Sequence, residues 1–169
     1  KLFGVVKNEF LDWYKQHVKE QIRLGHNVPR VSLYLNYERH RLIKHFQTSK
    51  LFVSPTLFEE AFGLVFIESM ACGTPVVAFA RGAAPEIIQD GKTGFLVNTA
   101  DDDIRGNWFV KKTGFAGLCE AVEKIYSMTN EEYELMRRQC RASVEQNFSI
   151  EHMTKKYLDV YKEISRRSL

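Results

Sequence analysis

Apolar residues fall along this chain in two alternating rhythms. Short runs rich in β-branched or aromatic residues stand at 2–6 (LFGVV), 31–35 (VSLYL), 51–53 (LFV), 75–79 (PVVAF) and 95–97 (FLV), and each predicts a strand. Between them the spacing is helical. Phe10, Trp13, Tyr14, His17, Val18, Ile22 and Leu24 recur at that period, with Asn8 and Asn27 suited to the boundaries. Residues 38–48 predict a short helix with Leu42, Ile43 and Phe46 facing inward. A third helical segment opens at Phe62-Gly63-Leu64 and is stopped by Gly73-Thr74-Pro75. Gly91-Lys92-Thr93-Gly94 is turn chemistry, and the polar, aperiodic stretch 100–112 predicts a surface loop. Three helices close the chain. One is amphipathic over 115–128. One starts at Thr129-Asn130, with Glu131 and Glu132 favouring the dipole, and runs to about residue 145. The last, about 149–167, is capped by Ser149, with Met153, Tyr157, Tyr161 and Ile164 as its apolar stripe.

Strands alternating with helices specify the α/β class, with five strands in a doubly wound parallel sheet and helices at the C-terminus. Composition changes this picture little. At 169 residues, 44% hydrophobic and 27% charged, the chain reads as one ordered domain. A net charge of +3, with basic residues spread among acids, argues against a nucleic-acid surface. Cys72, Cys119 and Cys140 lie far apart, without metal-ligand spacing, and suit buried apolar positions in a reducing compartment; the expected location is cytoplasmic. No stretch has the pattern of a signal peptide or the length of a membrane span. The first strand begins almost at Lys1 without a lead-in, which leads us to expect a piece of a longer protein.

The chemistry gathers after the strand at 51–53. In open parallel sheets ligands bind outside the carboxyl ends of the strands, and the loop from Ser54 to Phe62 sits at such an end. Gly63 lets a ligand approach the backbone, and the leading amides of the helix behind it suit an anion such as phosphate. Glu68, expected about two turns into the helix, suits vicinal hydroxyls, and Glu60, before the helix, suits a sugar. Together they fit a ligand with hydroxyls at both ends of a phosphate, as in a nucleotide-sugar. With 21 acids in the chain, two Glu eight apart also arise by chance, and a solvated helix face is the competing reading. For Glu59 the solvated loop charge is preferred.

Longer motifs surround these acids. Ser54 and Glu60 precede Phe62-Gly63-Leu64, then Glu68-Ser69-Met70-Ala71-Cys72-Gly73-Thr74-Pro75-Val76-Val77. Gly82-Ala83-Ala84-Pro85-Glu86-Ile87-Ile88 and Gly91-Lys92-Thr93-Gly94-Phe95-Leu96-Val97 follow. This pattern resembles the C-terminal, donor-binding half of the family-4 glycosyltransferases, enzymes of the GT-B fold, and extends more weakly over nearly the whole chain. The resemblance implies a Rossmann-like domain over 1–169 that binds a nucleotide-diphospho-sugar, half of a two-domain retaining hexosyltransferase needing no metal and no cofactor. Glu68 would hold the ribose, and Glu60 would lie by the donor sugar and the reaction centre. The backbone of Phe62, Gly63 and Leu64 would contact sugar hydroxyls and phosphate, and Asn36 and Tyr37 would lie near the base. The acceptor, a glycan, lipid or small molecule, would be held by an N-terminal domain outside this chain. A stand-alone nucleotide-sugar binding module or partner subunit is the alternative, and a GT-B epimerase or phosphorylase fits the fold but not the acids as well.

Three departures qualify the resemblance. The Arg and Lys with which the family neutralises the diphosphate follow a strand upstream of Leu2, outside the chain. Arg81 and Lys92 are local substitutes, with ordinary loop charges the favoured reading. The acceptor domain is absent, so the isolated chain is expected to bind nucleotide weakly and transfer little or no sugar. Ala83 and Ser69 stand where Gly and Ala are usual, with small structural effects expected. The remaining groups are weaker. His17, His26 and His152 lack partners at ligand spacing, and His40 and His45 suit a solvated face. Lys155, Lys156, Lys162, Arg166 and Arg167 suit a solvent-facing helix back, the favoured reading, or a peripheral contact with an anionic membrane.

Overall fold

Among the described residues every strand pair is parallel, so no pair is closed by a tight turn. The computed structural model describes residues 2–4, 33–35 and 38–167. They fall into two units, Lys1–Leu42 and Ile43–Leu169. In the first unit, β1 (Leu2–Gly4) pairs with β2 (Leu33–Leu35) in the register Leu2↔Leu33. The helix expected between Asn8 and Asn27 lies outside the described residues. Helix α1 (Arg39–Thr48) begins in the first unit's sequence and ends in the second's.

The second unit is built on three strands in the order β3 (Phe52–Ser54), β4 (Val76–Phe79) and β5 (Gly94–Val97). Helix α2 (Leu64–Ala71) carries the chain from β3 to β4, and the short α3 (Ala84–Ile87) lies between β4 and β5. All residues of β4 and β5 are buried, as strands covered on both faces must be. Helix α4 (Gly114–Tyr126) packs on β4 and β5, and α5 (Asn130–Asn147) packs on α2. Phe66 and Met70 of α2, Leu118, Ala121 and Ile125 of α4, and Tyr133, Met136 and Cys140 of α5 join the strands in one core. Full burial of side chains such as Phe66 and Met70 contributes roughly 1.5–3 kcal/mol each. The α/β class with a parallel sheet and C-terminal helices is as expected. The five strands hydrogen-bond as a pair and a trio among the described residues.

Local chemistry explains the helix ends. Thr129 and Glu132 form a reciprocal capping box that starts α5. The Ser149 hydroxyl accepts from the His152 amide and starts α6 (Ile150–Arg167). Two expectations need correction and one an addition. Ile43 is half exposed rather than inward, because the core covers the Phe46 part of their shared face of α1 and not the rest. The stretch 100–112 is a surface loop as expected, and what needs adding is that side chains brace it. The Asn98 side-chain oxygen Oδ1 accepts from the Arg105 amide and the Trp108 indole, the Asp90 carboxylate accepts from the Phe109 amide, and Val110 is buried. Helix α2 begins at Leu64, so Glu68 lies little more than one turn in, about 7 Å along the axis from Gly63.

Candidate functional site

Three loops leave the carboxyl ends of β3, β4 and β5, and the first two touch. The loop after β3, residues 55–63, has no regular structure until α2 begins. Its Glu60 carbonyl accepts from the Ala83 amide at 2.8 Å. Gly82, at φ +52°, lies so close that a Cβ there would stand 2.4 Å from both the nitrogen and the oxygen of Glu60. Only glycine fits that crossing. Ala83, in the position where a second Gly is usual, has ordinary right-handed geometry, so its methyl group costs nothing in the backbone. The Ser69 hydroxyl, at the other departure, is buried and donates to the Thr74 carbonyl at 3.0 Å.

The candidate residues themselves follow from this crossing. Glu60 is half-buried, and its Oε1 accepts from the Gly63 amide at 3.3 Å. Gly63 is buried at φ +74°, and a Cβ there would meet Phe66 at 2.6 Å and Ile87 at 2.9 Å. Gly63 has no side chain to cap the helix it precedes; Glu60 takes the Gly63 amide and the Gly63 carbonyl takes those of Phe66 and Ile67, which leaves the amides of Leu64 and Val65 as the ones that suit an anion. Phe62 and Leu64 expose their side chains on either side of Gly63. Phe62 also lines a cleft of about 390 Å³ with Ala61, Ala83, Glu86 and Lys156. Glu68 is half-buried on α2. The structure thus brings Glu60 and Gly63 into contact, places Phe62 and Leu64 beside them, and sets Glu68 on the helix they start. Asn36 and Tyr37 lie outside the described residues.

Glu59 is exposed, as a loop charge is expected to be, but it is held by three partners. Its carboxylate accepts from the Gly82 amide at 2.6 Å, from Arg81 at 2.8 Å and from Arg105 at 2.9 Å. The Gly82 amide first, then the two guanidinium groups, hold the Glu59 carboxyl below the usual carboxylate range against some desolvation. Asp103 binds the same two arginines, at 2.9 Å and 3.0 Å. Hydrogen bonds from Arg105 and Thr99 lower its pKa likewise. Arg81 is therefore engaged with two carboxylates and is neither an ordinary loop charge nor a spare cation for a diphosphate. Sequence reasoning missed this group because its members are spread over three loops with no motif spacing.

Two of the three thiols are quieted by burial, and Cys119, expected to be buried, is exposed. Burial pushes the Cys140 thiol up to about 12, and it donates to the Thr93 carbonyl. Burial also raises Cys72. Among the described residues no three His, Cys, Asp or Glu are grouped to hold a metal, and no helix is long and apolar enough to cross a membrane.

Residues 12–105 match the family model of the glycosyl transferases group 1. The chain belongs to that family. It is 31% identical over 128 residues to an alpha-maltose-1-phosphate synthase from Mycolicibacterium smegmatis, covering 75% of this chain and 30% of the relative. It is 40% identical over 79 residues to a D-inositol 3-phosphate glycosyltransferase from a Mycobacterium species (strain KMS), covering 47% and 17%. The chain thus spans less than a third of the length of either relative. Among solved structures, sucrose-phosphate synthase from Thermosynechococcus elongatus aligns with 98% of this chain and 38% of its own, at TM-score 0.73 and 22% identity. The Anabaena protein HepE, solved in complex with UDP and glucose, aligns with 96% of this chain and 40% of its own, at TM-score 0.69 and 21% identity. Both alignments show the α/β fold shared with GT-B glycosyltransferases.

Proposed function

We propose that this group 1 domain is the donor-binding, C-terminal half of a family-4 retaining glycosyltransferase, taking a nucleotide-diphospho-sugar as substrate with no cofactor or metal. The observation that carries the reading is the start of α2, where the Leu64 and Val65 amides have no side-chain cap and the Glu60 carboxylate folds onto the Gly63 amide beside them. A diphosphate leaving group gains negative charge as the sugar departs, and oriented helix amides stabilise that charge without having to reorganise. Glu60 then faces the sugar and its oxocarbenium-like transition state. Glu68 takes the ribose hydroxyls, the backbone of Phe62 and Leu64 frames the phosphate, and Asn36 and Tyr37 border the base. A structural relative solved with UDP and glucose supports this class of ligand. The relatives' names are those of enzymes, so the binding module without catalysis is not adopted.

Because Arg81 is engaged by Glu59 and Asp103, the cations for the diphosphate come from elsewhere in the full-length protein. An acceptor of glycan, lipid or small-molecule type binds a second domain, and the isolated chain binds nucleotide weakly and transfers little or no sugar. Titration calorimetry of the full-length protein with UDP, GDP and ADP tests the reading. One nucleotide binds, and Glu68→Ala weakens it at least about tenfold, the scale of losing a charged hydrogen-bond acceptor. Equal binding by Glu68→Ala removes the ribose role, and no binding of any nucleotide overturns the reading.

A further inference from the structure

Glu59 and the three charged groups around it close a ring. Glu59 Oε1 receives Arg81 Nη2 and Arg105 Nη1, while Asp103 receives Arg81 Nη1 on Oδ2 and Arg105 Nε on Oδ1. Each acid therefore bridges both arginines. The members come from all three loops at the carboxyl ends of the sheet: Glu59 after β3, Arg81 after β4, Asp103 and Arg105 after β5. Two further bonds anchor the ring, from the Gly82 amide to Glu59 Oε2 and from the Thr99 hydroxyl to Asp103 Oδ2. The backbone carrying Arg105 is held in turn by Asn98.

No member of the ring lines the cleft beside Phe62. The ring grips the residue beside Glu60 and the glycine against which the Glu60 backbone rests. Exposed ion pairs add little to global stability, so its consequence is geometric. Without it, the loop of residues 55–63 is held to its neighbour mainly by the Ala83-to-Glu60 backbone bond. We infer that Arg81, Asp103 and Arg105, acting through Glu59, are positioning residues that set the Glu60–Gly63 loop for the donor. Their role rests on the donor-site reading above. The positional half of it does not.

Two measurements on the full-length protein separate the two. The first is amide hydrogen exchange. Asp103→Asn and Arg105→Ala should speed exchange at Gly63, Gly82 and Ala83, whose amides are bonded to Glu60, Glu59 and Glu60, by about tenfold while the β4 amides keep their protection. Unchanged exchange at these three amides overturns the inference, and so does faster exchange across β4, which would make the ring a general brace. The second is a double-mutant cycle on affinity for UDP-glucose, GDP-mannose or ADP-glucose, whichever binds. Asp103→Asn should weaken binding by about tenfold in the native background and by less than about twofold in a Glu60→Gln background. Equal losses in both backgrounds overturn the coupling to Glu60. If none of the three donors binds, the donor reading falls, and the exchange result alone decides whether the ring positions the loop.

Discussion

Helices α5 and α6 are adjacent, each 18 residues long, and each carries an apolar stripe, yet they end in opposite circumstances. Helix α5 buries Tyr133, Met136, Cys140 and Ser143. It fastens itself further through the Tyr133 hydroxyl on the Lys50 carbonyl and the Arg137 guanidinium on the Gly73 carbonyl. Helix α6 buries no residue, and Met153, Tyr157, Leu158, Tyr161 and Ile164 are half exposed or more. An amphipathic pattern specifies that a helix forms and which side wants cover. It does not say that the cover is in the same stretch of chain.

The comparison can be broken by substitution. Met136→Ala on α5 should cost about 2–5 kcal/mol, the range for emptying a buried methionine site, read by urea unfolding of this chain. A cost near zero would mean that α5 is no better packed than α6. Thr129→Ala removes half of the capping box and should cost about 1 kcal/mol, with Thr129→Ser restoring most of it. Tyr161→Ala on α6 should change stability by no more than about 0.5 kcal/mol in this chain. A loss several times larger would show that the α6 stripe is already covered.

The same contrast governs what the sequence disclosed. The three strands and α2 between Phe52 and Val97 were legible because Gly73, Pro75 and Gly91 punctuate them and because β4 is apolar at every position, whereas the four-residue α3 was not predicted. The candidate site was legible at Glu60, Phe62, Gly63, Leu64 and Glu68 because these residues lie on one contiguous motif. The ring of Glu59, Arg81, Asp103 and Arg105 was not, since it is assembled through space by loops whose local pattern is silent. Nor did aperiodicity over 100–112 reveal that Asp90 and Asn98 would brace that loop from either end of β5. Ile43 failed for a related reason: helical spacing grouped it with Phe46 on one face of α1 but could not say how much of that face the core would cover.

The buried thiol of Cys140 gives the molecule a built-in clock. Alkylating reagents attack thiolates, and a sulfur sealed under α5 with its proton on the Thr93 carbonyl yields almost none at neutral pH. Cys119, exposed on α4, stays open to the same reagent in the folded state. The two sulfurs therefore separate in time, one marking the native surface at once and the other recording each occasion on which the core comes apart.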